Sequence, residues 1–139
     1  MATLTAEQVR LLQRARLFFV GHREAVGVLL PSRNGAPMFI KSGIDGGPFG
    51  GTQRGGIPRM PGWAFTQGGL SQGNIATHVE GHASAIMWQR HFTRGTLLVD
   101  RPMCDVCSRN LLQTLPPGAE LRVLSELEGL TIVRASHGR

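Results

Sequence analysis

His78-Val79-Glu80-Gly81-His82-Ala83-Ser84-Ala85-Ile86-Met87 and, after a gap of 23 residues past Glu80 (81 to 103), Cys104-Asp105-Val106-Cys107 are the two stretches that organise this chain. Ala83, Ile86, Met87 and Arg90 alternate with polar positions at helical spacing, which predicts a helix from about residue 77 to 91 with Gly95 as its C-cap. Residues 96–100 are short and apolar, as a buried strand would be. Cys104 then opens a further helix that ends before Pro116-Pro117-Gly118. Helix, strand and helix in this order point to an α/β fold, with four chemically active side chains near two helix starts.

The flanking sequence follows the same plan. Thr5-Ala6-Glu7-Gln8 has the form of a capping box, and Leu4, Gln8, Leu11, Leu12, Ala15 and Phe18 share a face, so a helix is expected over residues 6–19. Apolar runs at 25–30 and 37–41 flank Ser32-Arg33-Asn34-Gly35, and Asn-Gly between such runs is a hairpin signal. Two last strands are expected at 120–125 and 130–134. Residues 43–74 differ, because Gly and Pro crowd in and periodicity vanishes. A structureless stretch of this length is a functional or mobile loop. Its Arg54, Arg59, Trp63 and Phe65 suit base stacking and phosphate contact, and equally a lid that packs both aromatics inward. The expected architecture is an α/β sandwich with one five-stranded mixed β-sheet packed with helices. It forms a single domain over 1–139, with 1–20 an N-terminal helix either accessory or integral to it.

The formal charge of +6 comes from fourteen Arg and the single Lys41 against nine acids. A GC-rich coding bias accounts for the Arg-to-Lys ratio but not for the net charge, which favours a polyanionic partner over a merely solubilising surface. No apolar run is long enough to span a membrane, and no charged-apolar-small pattern of a secretory leader stands at the N-terminus. Two cysteines three residues apart do not make a disulfide framework, so the pair is a metal clip or a redox dithiol.

His78, Cys104 and Cys107 supply one imidazole and two thiols, a donor set that suits zinc and leaves the fourth tetrahedral position open. The i,i+3 spacing puts both sulfurs on one helix face, where the helix start favours the thiolate. Glu80 is left to carry protons, for which Gln is useless and Asp one methylene short. Zinc makes a water acidic enough to react near pH 7. An H-x-E followed by a C-x-x-C is the signature of zinc-dependent nucleobase deaminases, which act at C4 of cytosine or C6 of adenine.

Each piece has a plainer reading. Thr77-His78-Val79-Glu80 is also a capping box, and Cys104-Asp105-Val106-Cys107 is also a thioredoxin-like dithiol. His82, four residues after His78, could close a structural site with the two thiolates. His91 reads as a helix-end dipole contact, and His22 and His137 as surface residues. The joint occurrence of His78, Glu80, Cys104 and Cys107, in this order and separation, favours the hydrolytic zinc site over these readings.

His78-Val79-Glu80-Gly81, Ala83-Ser84-Ala85, Cys104-Asp105-Val106-Cys107 and residues 111–116 together resemble the bacterial DNA cytosine deaminase toxins of the DddA-like group. The similarity runs from about residue 76 to 123, weakens over the hairpin and Gly-rich loop, and is absent before about residue 22. It implies a cytidine-deaminase-like fold, with zinc held by His78, Cys104 and Cys107 and protons moved by Glu80. It implies conversion of cytosine to uracil in DNA by the C-terminal domain of a secreted toxin, acting in the cytoplasm of a target bacterial cell and neutralised by a cognate immunity protein. By position, Ala76 would lie against the base and Asn74 would contact sugar or base. Val106 stands where a duplex-opening member would place a wedge, and Ser108 and Arg109 would face the nucleic acid. The chain departs from the superfamily pattern in having Met103 between Pro102 and the first cysteine.

Duplex DNA is the favoured substrate, with Arg54, Arg59, Arg101 and Arg109 expected to offset the few kcal/mol needed to extrude a base. The alternatives are the same chemistry on single-stranded DNA, RNA or a nucleoside. A third is a zinc-stabilised nucleic-acid-binding module without catalysis.

Overall fold

The computed structural model describes residues 3–32, 35–43, 78–103, 111–112 and 114–135. Helix α1, Ala6–Phe18, begins with the capping box expected of Thr5 and Gln8: the Thr5 hydroxyl accepts the Gln8 N–H at 3.1 Å, and the Gln8 side chain accepts the Thr5 N–H at 2.9 Å. Strands β1, Val26–Pro31, and β2, Met38–Lys41, form the antiparallel hairpin, with Val26 opposite Lys41 and Leu29 opposite Met38. Of its turn, residues 33 and 34 lie outside the described residues. Helix α2, Val79–Arg90, leads into β3, Arg94–Val99, and β4, Glu120–Ser125, and β5, Gly129–Arg134, complete the set.

The five strands make one mixed sheet in the order β2-β1-β3-β4-β5. Only β3 and β4 are parallel, so the chain between them must cross over one face; Leu111, Leu112 and Thr114 within that crossover are helical. The central β1 and β3 are apolar on both faces because both faces are covered. On one side Leu29, Leu97, Val99, Leu121 and Val123 pack under Ala83 and Met87 of α2 and Leu111 and Leu115 of the crossover. On the other, Val26, Val28, Leu98 and Leu124 pack under Leu12 and Ala15 of α1.

Helix α1 is therefore part of the sheet's packing. Arg16 extends the attachment: it forms an ion pair with Asp100 just past β3 and donates to the carbonyls of His22 (2.6 Å) and Glu24 (2.9 Å). Among the described residues no helix is long and apolar enough to cross a membrane.

The end of α2 differs from expectation. Gly95 lies inside β3, paired with Pro31 and Leu121, and the C-cap is His91, with φ 59° and its N–H bonded to the Met87 carbonyl. Histidine is among the few non-glycine residues that enter the left-handed region with any frequency. Its conformation still costs energy that glycine avoids, so His91→Gly is expected to raise stability by about 1 kcal/mol, read as a shifted urea midpoint. An unchanged or lower midpoint would show that the exposed imidazole makes a compensating contact.

Candidate active site

The first turn of α2 carries the described half of the predicted site. His78 is the N-cap, extended at φ −90° and ψ 156°, and its carbonyl accepts the His82 N–H at 3.0 Å. The imidazole makes no capping bond. Glu80 is then the second helical residue, one short of the position a capping box over Thr77 requires, so the register does not support that reading. The Glu80 side chain is buried, at 7% exposure. A carboxylate is costly to bury, and the partial positive charge at the start of α2 offsets part of that cost.

Gly27 explains why this helix start sits where it does. Gly27 pairs with Val99, the last residue of β3, and Val79 packs over it. A Cβ at position 27 would fall 2.5 Å from Cγ1 of Val79 and 2.9 Å from the Leu98 carbonyl oxygen. The missing side chain lets α2 approach the C-terminal end of β3, and the backbone contact cannot give way cheaply. Gly27→Ala is expected to cost about 1–3 kcal/mol, read as a lowered urea midpoint. An unchanged midpoint would mean that Val79 and the helix start do not depend on this seat.

His78 and Glu80 form one wall of a cavity of about 290 Å³. Val99, Arg101 and Pro102 also line it, as do Glu24 and Ser42 from the adjoining loops. Pro102 is two residues before Cys104. The segment that delivers the cysteines is fixed on several sides. Asp100 accepts the Val26 N–H at 3.0 Å, Arg101 donates to the Arg23 carbonyl, and Glu128, from the turn between β4 and β5, accepts the Met103 N–H at 3.2 Å. Beyond the cysteines, the Thr114 carbonyl accepts the Trp88 indole N–H at 2.7 Å, which ties the crossover to α2. The chain on both sides of residues 104–110 is thus held beside the helix that carries His78 and Glu80.

Of the predicted site residues, the structure brings His78 and Glu80 together. Cys104, Cys107, Val106, Ser108, Arg109, Asn74, Ala76, Arg54 and Arg59 lie outside the described residues, as do Trp63, Phe65 and His137. Among the described residues no group of three or more His, Cys, Asp and Glu side chains could hold a metal ion.

The other histidines are placed more sharply than the sequence allowed. His82 is fully buried and bonds the Gly43 carbonyl at 2.8 Å. A carbonyl only accepts, so Nε2 carries the proton, and Nδ1 is the ring nitrogen that a closed site built with His82 would have to use. His22, expected as a surface residue, is half-buried and its Nε2 lies 3.0 Å from the Ser42 hydroxyl. That contact joins positions twenty residues apart and has no local sequence signal.

A larger cavity, about 520 Å³, opens between α1 and the turn after β4, lined by Leu12, Arg16, Leu17, Asp100 and Glu126 among others. Among the described residues its lining includes neither His nor Cys, and Arg16 and Asp100 neutralise one another, so size and chemistry point to different places. The smaller cavity carries the acid and the imidazole. No protein-family model matches this chain, and no characterised protein compared with it is significantly similar.

Proposed function

We propose that this chain is a zinc-dependent deaminase that converts cytosine to uracil in DNA, on a cytidine-deaminase-like fold, as the effector domain of a bacterial toxin with a cognate immunity protein. One observation carries the reading most: a buried glutamate and an N-cap histidine line one cavity with Arg101 and Pro102, and Pro102 lies two residues before the first of two cysteines spaced i,i+3. The chemistry of the donor set fits a zinc site, since His78 lines the cavity and two thiols follow Pro102 of the same lining in sequence. His78, Cys104 and Cys107 would hold the metal. When bound, zinc supplies a water acidic enough to react near pH 7.

The chain's own part is proton transfer and positioning. Glu80 takes the proton from the water that adds at C4, gives a proton to ring N3, and later delivers one to the departing amine, so that cytosine and water yield uracil and ammonia. The cavity volume falls at the lower edge of the roughly 300–1,000 Å³ typical of small-molecule pockets, which suits one heterocycle taken out of its stack. Arg101 at the rim and the net charge of +6 suit the flanking phosphates. Asn74, Ala76, Val106, Ser108, Arg109, Arg54 and Arg59 are assigned to the DNA beyond the cavity.

The test is a substrate ladder: duplex DNA, single-stranded DNA, RNA and free cytidine, each assayed for uracil. Conversion of the duplex is expected, with free nucleoside poorest because it lacks phosphate. Conversion confined to single strands would remove the role given to Val106 and Arg109 in opening a duplex. Conversion of none would leave the non-catalytic zinc module.

A further inference from the structure

Ser42 of the cavity lining, together with the His22 imidazole that contacts it, stands outside every role assigned above. Ser42 follows β2 and is fixed by its backbone: its N–H bonds the Ala25 carbonyl at 3.0 Å, and the carbonyl of the next residue, Gly43, is held by His82. His22 is fixed as firmly, with its N–H on the Phe19 carbonyl at 3.0 Å and its own carbonyl on Arg16. The two side chains meet at 3.0 Å, between His22 Nε2 and Ser42 Oγ. Ser42 lines the cavity that His78 and Glu80 also line, and His22 reaches that lining through its contact with Ser42.

A serine hydroxyl has one proton and two acceptor sites. When His22 Nε2 carries its proton and donates, the Ser42 proton is left to point elsewhere, and the cavity gains a hydrogen-bond donor of fixed position. A donor in that wall distinguishes heterocycles. Cytosine carries a carbonyl at C2 that can accept; adenine has no carbonyl at all. The zinc ligands and Glu80 do not choose between these two bases, so the choice comes from the shape of the cavity and from groups such as this one.

We propose that the Ser42 hydroxyl, oriented by His22, donates to the 2-carbonyl of a pyrimidine in the cavity and selects cytosine over adenine. Ser42 is then a substrate-binding residue and His22 a positioning residue that acts through it. This assignment rests on the deaminase reading of the site.

The experiment compares wild type with Ser42→Ala, Ser42→Thr, His22→Ala and His22→Gln on a single-stranded oligonucleotide containing one cytosine. Zinc content and melting temperature are measured for each. Ser42→Ala is expected to raise KM about tenfold, the cost of one lost hydrogen bond, with kcat within a few-fold. Ser42→Thr and His22→Gln should restore most of the loss, and His22→Ala should fall between.

A second measurement does not need turnover. In a Glu80→Gln background, a strand carrying 2-aminopyridine in place of cytosine keeps the ring nitrogen and amine but lacks the 2-carbonyl. It is expected to bind about tenfold more weakly than the cytosine strand, and Ser42→Ala should remove the difference. If Ser42→Ala folds, holds zinc and still separates the two strands as the parent does, the assignment is overturned. If wild type deaminates no cytosine in any nucleic acid, the deaminase reading itself fails, and this assignment with it.

Discussion

Glu80→Gln is expected to lower cytosine conversion by about 10²–10⁴-fold while zinc content and fold are retained. The substitution changes almost nothing in volume, and it preserves an acceptor at the first turn of α2, where the carboxylate is 7% exposed. What it removes is the capacity to take and return a proton. A metal ligand would behave differently, because its loss would release zinc. Single-turnover uracil formation, with zinc content and a thermal melt on the same preparation, separates these cases. Retained turnover would mean that another group moves the protons, and loss of zinc along with turnover would make Glu80 a ligand.

Zinc removal is expected to act on stability as well as chemistry. His78 stands at the start of α2, and Cys104 follows the anchored segment past β3, so one ion would bridge parts of the chain that the backbone joins only through the length of α2 and β3. A ligand present at a hundredfold its dissociation constant stabilises the folded chain by about 2.7 kcal/mol, which for a domain of this size moves the melting temperature on the order of 10 °C. Chelation, or Cys104→Ser, should therefore lower the melt and abolish conversion together. For the chelated protein, zinc should restore both, and magnesium, which prefers oxygen ligands, should restore neither. A melt indifferent to chelation would mean that no ion links the two segments.

The fold was largely legible because its signals are local. The Thr5–Gln8 capping box, the apolar runs of the hairpin and the two last strands on either side of their turn each report on a few neighbouring residues, and each element appears about where those residues place it. Sheet order was not legible, since the pairing of β1 with β3 joins residues some seventy positions apart. The cap of α2 differs from expectation because the glycine at the second position of the next strand looks like the better terminator, while a histidine takes the left-handed position.

At the site, the motif spacing singled out His78 and Glu80, and their placement on one cavity follows from a helix start seated over Gly27. The rest of the cavity lining was hidden. The bonds from His22 to Ser42 and from Glu128 to Met103 depend on tertiary approach, and nothing in the pattern around those residues announces them. Arg16 and Asp100 are similar: they join α1 to the end of β3 and brace the segment entering Cys104, although each alone reads as an ordinary surface charge.

The most direct measurement is sequencing of cytosine-containing DNA after exposure to the purified chain. Four preparations would be compared side by side: the native chain, its chelated form, the chelated form given zinc, and Glu80→Gln. The expected result is cytosine-to-uracil conversion by the native and zinc-restored protein alone. Conversion by the chelated protein or by Glu80→Gln, or none by the native chain, would contradict the assignment of His78, Glu80, Cys104 and Cys107 to a hydrolytic zinc site.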